Sequence, residues 1–173
     1  MPETTWTLPE GEPDIERGRR RMLVRSAVLI AFLLFVLAGL FGFLGVRTAH
    51  ARATADTGFE VELTYPRITR PALAITFAVT ITELEEVAGD VTVRIRSSYL
   101  AMFDENGTSP TPVEETDDGE FTTWVYDHPP DGVLEVSLDT RVEPGVQWGR
   151  DGAVVVQVGG DEVRIDFHTW VAP

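Results

Sequence analysis

The chain contains no cysteine, no lysine and a single asparagine, Asn106. Without cysteine there is no disulfide, no thiolate zinc site and no thiol nucleophile. With all 14 basic residues arginine, the composition fits a GC-rich coding genome and points to a bacterial source. Basic charge is also scarce where it would matter for nucleic acid. Residues 1–25 hold five acids and five arginines, so the formal charge of −14 falls on residues 47–173, where 23 acids face nine arginines. Phosphate backbones and anionic lipid surfaces repel such a domain. Nucleic acid is therefore excluded as its partner.

Long apolar runs are absent too, with one exception. Residues 26–46 read SAVLIAFLLFVLAGLFGFLGV, uncharged from Ser26 through Leu34 to Val46 and bounded by Arg25 and Arg47. As a helix these 21 residues span about 31 Å, the thickness of a hydrocarbon core. Fourteen of them are Leu, Ile, Val or Phe, which favours insertion by about 4 to 8 kcal/mol. The expectation is a transmembrane anchor, with the lipid bilayer as its first partner.

Five arginines precede the run, among them Arg19, Arg20 and Arg21, against Arg47 and Arg52 just after it. Positive flanks stay cytoplasmic. The N-terminus is thus expected inside and the C-terminal domain outside. A cleaved signal peptide competes with this reading, because Ala49-His50-Ala51 and Ala51-Arg52-Ala53 have the small-x-small form of a cleavage site. Against it, the apolar regions of signal peptides run about 7 to 15 residues. Ala38 and Gly42 form a small-xxx-small pair of the kind that permits helix pairing in lipid.

The expected domains are a disordered cytoplasmic tail (1–25, with Trp6 in it), the membrane helix (26–46), a linker (47–57) and an extracytoplasmic domain (58–173). From Gly58 onward the apolar period becomes two. Phe59 to Tyr65, Leu73 to Ile81, Val91 to Ile95, Phe121 to Asp127, Leu134 to Leu138, Gly152 to Val158 and Glu162 to Val171 read as strands. Pro66 ends the first or marks an edge. Gly89-Asp90, His128 to Gly132, Glu143-Pro144-Gly145 and Gly159-Gly160-Asp161 supply turns or breaks. Ser97 to Phe103 reads as a helical turn over one end of the core, and residues 104–120 as an exposed acidic loop. Seven strands without a second long helix predict an immunoglobulin-like antiparallel β-sandwich, mainly β.

Residues 73–96 and 121–142, with LAITFAVTIT and PPDGVLEVSLDTRVEP, resemble bacterial immunoglobulin-like repeats of the cell-adhesion-related (CARDB) type. The whole chain resembles small single-pass membrane proteins of GC-rich bacteria. The resemblance implies an adhesion or interaction module.

Little in the sequence speaks for catalysis. His50, His128 and His168 show no zinc spacing, and neither Ser97-Ser98 nor Ser137 lies in a nucleophile elbow. The expectation is a non-enzymatic binding or accessory module without a cofactor, whose partner is another membrane or envelope protein. Trp148, Trp170 or the 104–120 loop are its candidate contact surfaces, unless Trp170 fills the sandwich instead. The alternative is an exported metal-binding or hydrolytic domain, with Asp104, Asn106, Asp117 and Asp118 as calcium ligands.

Overall fold

A computed structural model describes residues 15–40 and 45–172. They form two units, divided at Leu44 and Gly45. The first contains helix α1 (Ile15–Leu40), of which Gly18–Leu40 is long and apolar enough to cross a membrane. Its large side chains, Phe32 and Phe35 among them, are exposed on every face. The helix starts well before Ser26. Residues 15–25, expected as part of a disordered tail, are helical, because the arginines, Met22 and Leu23 are strong helix formers. Trp6, Gly42 and the rest of 1–14 and 41–44 lie outside the described residues, so the Ala38–Gly42 pair does too.

The second unit is mainly β, with ten strands. These are β1 (Arg47–Thr54), β2 (Glu60–Thr69), β3 (Ala74–Thr82), β4 (Val91–Arg96), β5 (Phe103–Ser109), β6 (Glu114–Asp117), β7 (Phe121–Tyr126), β8 (Leu134–Val142), β9 (Arg150–Val158) and β10 (Asp161–Val171). A four-residue helix, α2 (Ser97–Leu100), lies between β4 and β5. The order is β5-β8-β3-β2-β10-β9-β4-β7-β6, with β1 on β2. The strands form one curled mixed sheet whose two halves enclose one core. That core joins Leu63, Phe77 and Val136 of one half to Val93, Trp124 and Val156 of the other.

Several expectations need correction. The described residues form ten strands rather than seven, and the sheet is not wholly antiparallel, since β10 meets β2 in parallel at Trp170↔Ile68 and Val171↔Thr69. Two residue pairs a hundred positions apart leave no local signal in a sequence. Residues 47–54, expected as linker, are β1, each residue paired with β2. The expected acidic loop holds β5 and β6. Acids and glycine are poor strand formers, but both strands are edges, and charge at an edge discourages pairing with other chains. Pro66 does not end its strand. It lies beside the register shift between β1 and β2, where a missing donor is tolerated.

Elsewhere the pattern of the sequence holds. Buried and exposed residues alternate along β10 from Val163 to Val171. The β9–β10 hairpin closes through Gly159 and Gly160, both at positive φ (59° and 96°), the backbone a two-residue turn demands. Leu100, Met102 and Phe103 cap the core as expected.

The residue that sequence reading missed is Tyr99. It is fully buried, and its hydroxyl donates to Thr169 Oγ1 (2.9 Å), which in turn donates to the Pro66 carbonyl (2.6 Å). Burial pushes the Tyr99 phenol up, well above the ordinary tyrosine range, so it stays a donor at any working pH. Thr169→Val strands both groups and is expected to cost about 1 to 3 kcal/mol in urea unfolding. Adding Tyr99→Phe removes one of the stranded groups, so the double variant is expected to recover part of that loss.

Candidate interaction surface

The β8–β9 connection is built to hold one aromatic ring outward. After Val142, Glu143-Pro144-Gly145 turns the chain, with the Val146 amide donating to the Glu143 carbonyl (3.1 Å). Trp148 and Gly149 then both take positive φ, 73° and 74°. For a tryptophan this backbone costs about 1 to 2 kcal/mol, and such outliers persist only where surrounding structure enforces them. The enforcing contact is Gly149 against β10, packed so closely that a Cβ there would fall on the Thr169 carbonyl oxygen.

The residue after Thr169 is Trp170. Its ring meets that of Trp148 edge-on, with centroids 6.2 Å apart and planes at 77°. Trp148 is 72% exposed and Trp170 44%, so Trp170 does not fill the sandwich. Beside them lies a cavity of about 120 Å³ lined by Pro71, Pro144, Val146 and Val171. The 70–73 and 142–146 turns are tied by Ala72 N–H donating to the Val142 carbonyl (2.9 Å) and Val142 N–H to the Leu73 carbonyl (3.0 Å). Two tryptophans 22 positions apart in sequence thus form one exposed apolar surface.

The acids of 104–118 do not converge in this way. Asp104 lies on β5 opposite Arg141 of β8, and the Asn106 side chain lies outside the described residues. Asp117 and Asp118 form the β6–β7 turn and are occupied by its own donors. Asp118 accepts from the Phe121 and Glu120 amides (2.7 and 2.8 Å), and Asp117 from the Gly119 amide (2.7 Å) and the Ser97 hydroxyl (3.0 Å). Among the described residues no three His, Asp or Glu gather as a metal site would require.

These backbone bonds hold Asp118 and Asp117 below the usual carboxylate range, and Asp161 likewise through the Thr57 amide. A depressed folded-state pKa contributes stability that is present above the unfolded value, about 3.9, and is lost as pH falls through the lower folded one. The urea midpoint is expected to fall below about pH 4. Asp118→Asn should flatten that fall.

The histidines stay apart. His168 Nδ1 lies 2.7 Å from Asp151 on the exposed outer face, His50 Nδ1 3.0 Å from Thr64 Oγ1, and His128 Nδ1 3.2 Å from the Gly89 carbonyl. On that outer face Phe121, Ala153 and Val155 form a small second cluster, with the Arg94 guanidinium 4.8 Å over the Phe121 ring.

No family model matches the chain, and no curated protein matches it. The CARDB likeness of 73–96 and 121–142 therefore has no matching family behind it. Among solved structures, a chain of a CaDoc0917–CaCohA2 complex is similar at 14% identity and TM-score 0.42, covering 61% of this chain and 94% of that one. A non-cellulosomal cohesin from the archaeon Archaeoglobus fulgidus is similar at 12% identity and TM-score 0.39, covering 73% of this chain and 92% of that one.

Proposed function

We propose that this chain is a single-pass membrane protein that displays its β domain outside the cytoplasm and works by binding rather than catalysis. Arg19, Arg20 and Arg21 hold the N-terminus inside, and the apolar run through Leu34 is the anchor.

An uncleaved anchor is supported by the position of β1. Cleavage after Ala51 or Ala53 would divide or remove a strand whose eight residues pair with β2 and whose Ala51 and Ala53 pack on the core.

The observation that carries the binding reading is the segregation of charge along the strands. The connections at the end of the domain away from Arg47 (54–60, 82–91, 109–114, 126–134 and 158–162) hold eleven acids and no arginine. They are joined by Leu84 N–H donating to the Gly132 carbonyl (3.1 Å) and Thr57 N–H to Asp161 (2.9 Å). A surface of one sign steers and selects a partner of the other. The partner proposed is a membrane or envelope protein with a basic face.

A photo-cross-linking residue at Asp131 in the full-length protein tests this in native membranes. The expected result is a discrete protein adduct that weakens when Glu85 and Glu86 are changed to glutamine. An anchored protein giving no adduct, or one indifferent to those charges, contradicts the reading.

A further inference from the structure

The opposite end of the domain differs in its balance of charge and in its exposed apolar side chains. Arg47 directly follows the apolar run, and it lies in one cross-strand row with Ile68 and Trp170. The chain therefore enters the domain at the end that carries the tryptophan pair. The segments gathered there (45–49, 66–74, 141–150 and 169–172, with 96–104 and 117–121 farther along the sheet) hold six of the domain's nine arginines and five acids, Asp104, Asp117, Asp118, Glu120 and Glu143. Four large apolar side chains are exposed in them: Val46 (48%), Leu73 (39%), Trp148 and Trp170. Among the described residues, only Val113 and Val133 are comparably exposed elsewhere in the domain, and both lie in the acidic connections. Asp117, Asp118 and Glu120 also emerge at the tryptophan end, on the β6–β7 turn. That turn is separated from β10 by β9 and β4, so β7 lies about 14 Å and β6 about 19 Å away across the sheet.

We propose that the Trp148–Trp170 end rests in the headgroup region of the membrane in which α1 is anchored, a proposal that takes the anchored reading as given. Indole rings favour the membrane interface, where an apolar body and a polar N–H are both accommodated. Exposed arginines at the same level meet lipid phosphates. The rest of the domain, net acidic, is repelled by an anionic surface. Apolar insertion and charge thus agree on one orientation. The acid-rich turn at Asp161 then stands about 33 Å from the lipid, the length of the 11-residue strand β10.

Full-length protein carrying Trp6→Phe, reconstituted into phosphatidylcholine–phosphatidylglycerol vesicles, tests the seating. Acyl chains brominated close to the headgroup quench indole emission only within contact range. Trp124 is buried in the core, so quenching reports Trp148 and Trp170. With two of three emitters in reach, emission is expected to fall by up to about two thirds, and by much less after Trp148→Phe with Trp170→Phe. Both positions are exposed, so melting should change little in that variant and serves as the folding control.

Quenching no greater than in the double variant overturns the seating, as does quenching that appears only when a second protein is present. Flotation of the vesicles separates the two readings. Protein that floats without quenching keeps its anchor and loses the seat, whereas protein that does not float contradicts the anchor itself.

Discussion

Phe167→Ala is expected to destabilise the domain by about 3 to 5 kcal/mol, the cost of deleting a buried aromatic and leaving its cavity. Phe167 is the ring on which the others converge. Tyr65 lies 4.7 Å from it, Tyr99 4.9 Å at 80° and Phe77 6.1 Å, centroid to centroid. Each such pairing is worth about 0.5 to 1.5 kcal/mol beyond burial. Its cross-strand partner is Gly152, and the ring occupies the space that a side chain there would need. Deleting the ring therefore exposes strand backbone as well as opening a void. For a domain of this size the melting temperature should fall by roughly 10 to 20 °C. Differential scanning calorimetry of the full chain in detergent measures it. A fall of only a few degrees would show that the aromatic cluster is not the centre of the core.

Gly149→Ala is expected to be nearly as costly, for a different reason. No apolar surface is lost. A Cβ at φ +74° costs about 1 to 2 kcal/mol in backbone conformation alone, and here it also meets the Thr169 carbonyl oxygen. Backbone cannot rotate aside as a side chain does, so β9 and β10 must separate locally. The total is expected at about 3 kcal/mol or more. Gly160→Ala is the control, since Gly160 also has positive φ (96°) but open space around it. It should cost only the conformational part. Because the same clamp holds Trp148 outward, Gly149→Ala should also shift indole emission in the folded protein. Equal losses at the two glycines would remove the clamp from the account.

What the sequence made legible follows from where each signal is local. Alternation in β10, the Gly159–Gly160 hairpin and the break at Pro144 are set by neighbours within a few residues, and they stand in the structure. β1 was illegible because RTAHARAT alternates alanine with polar residues and has no large apolar side chain to mark a buried face. β5 and β6 were illegible because edge strands draw their order from a partner strand, not from their own composition. Trp148 and Trp170 are each legible as a candidate contact residue, but nothing in the sequence pairs them. Their meeting depends on the start of β9 pairing with the end of β10, at Arg150↔Thr169, which only topology supplies. The segregation of charge was hidden in the same way. The sequence shows an acidic domain, but the sorting of arginine to one end appears only after alternate connections are assigned to opposite ends of the strands.

The proposed topology crosses the membrane once and leaves the acid-rich end of the domain outside. The absence of cysteine makes this directly measurable, because a single introduced thiol is the only one in the chain. Asp131→Cys and Glu3→Cys, made separately in the full-length protein, are exposed to a membrane-impermeant maleimide on intact spheroplasts. The expected result is labelling of the first in the membrane fraction without permeabilisation, and of the second only after it. Labelling in the opposite order, or a labelled domain released into the medium, would contradict the account.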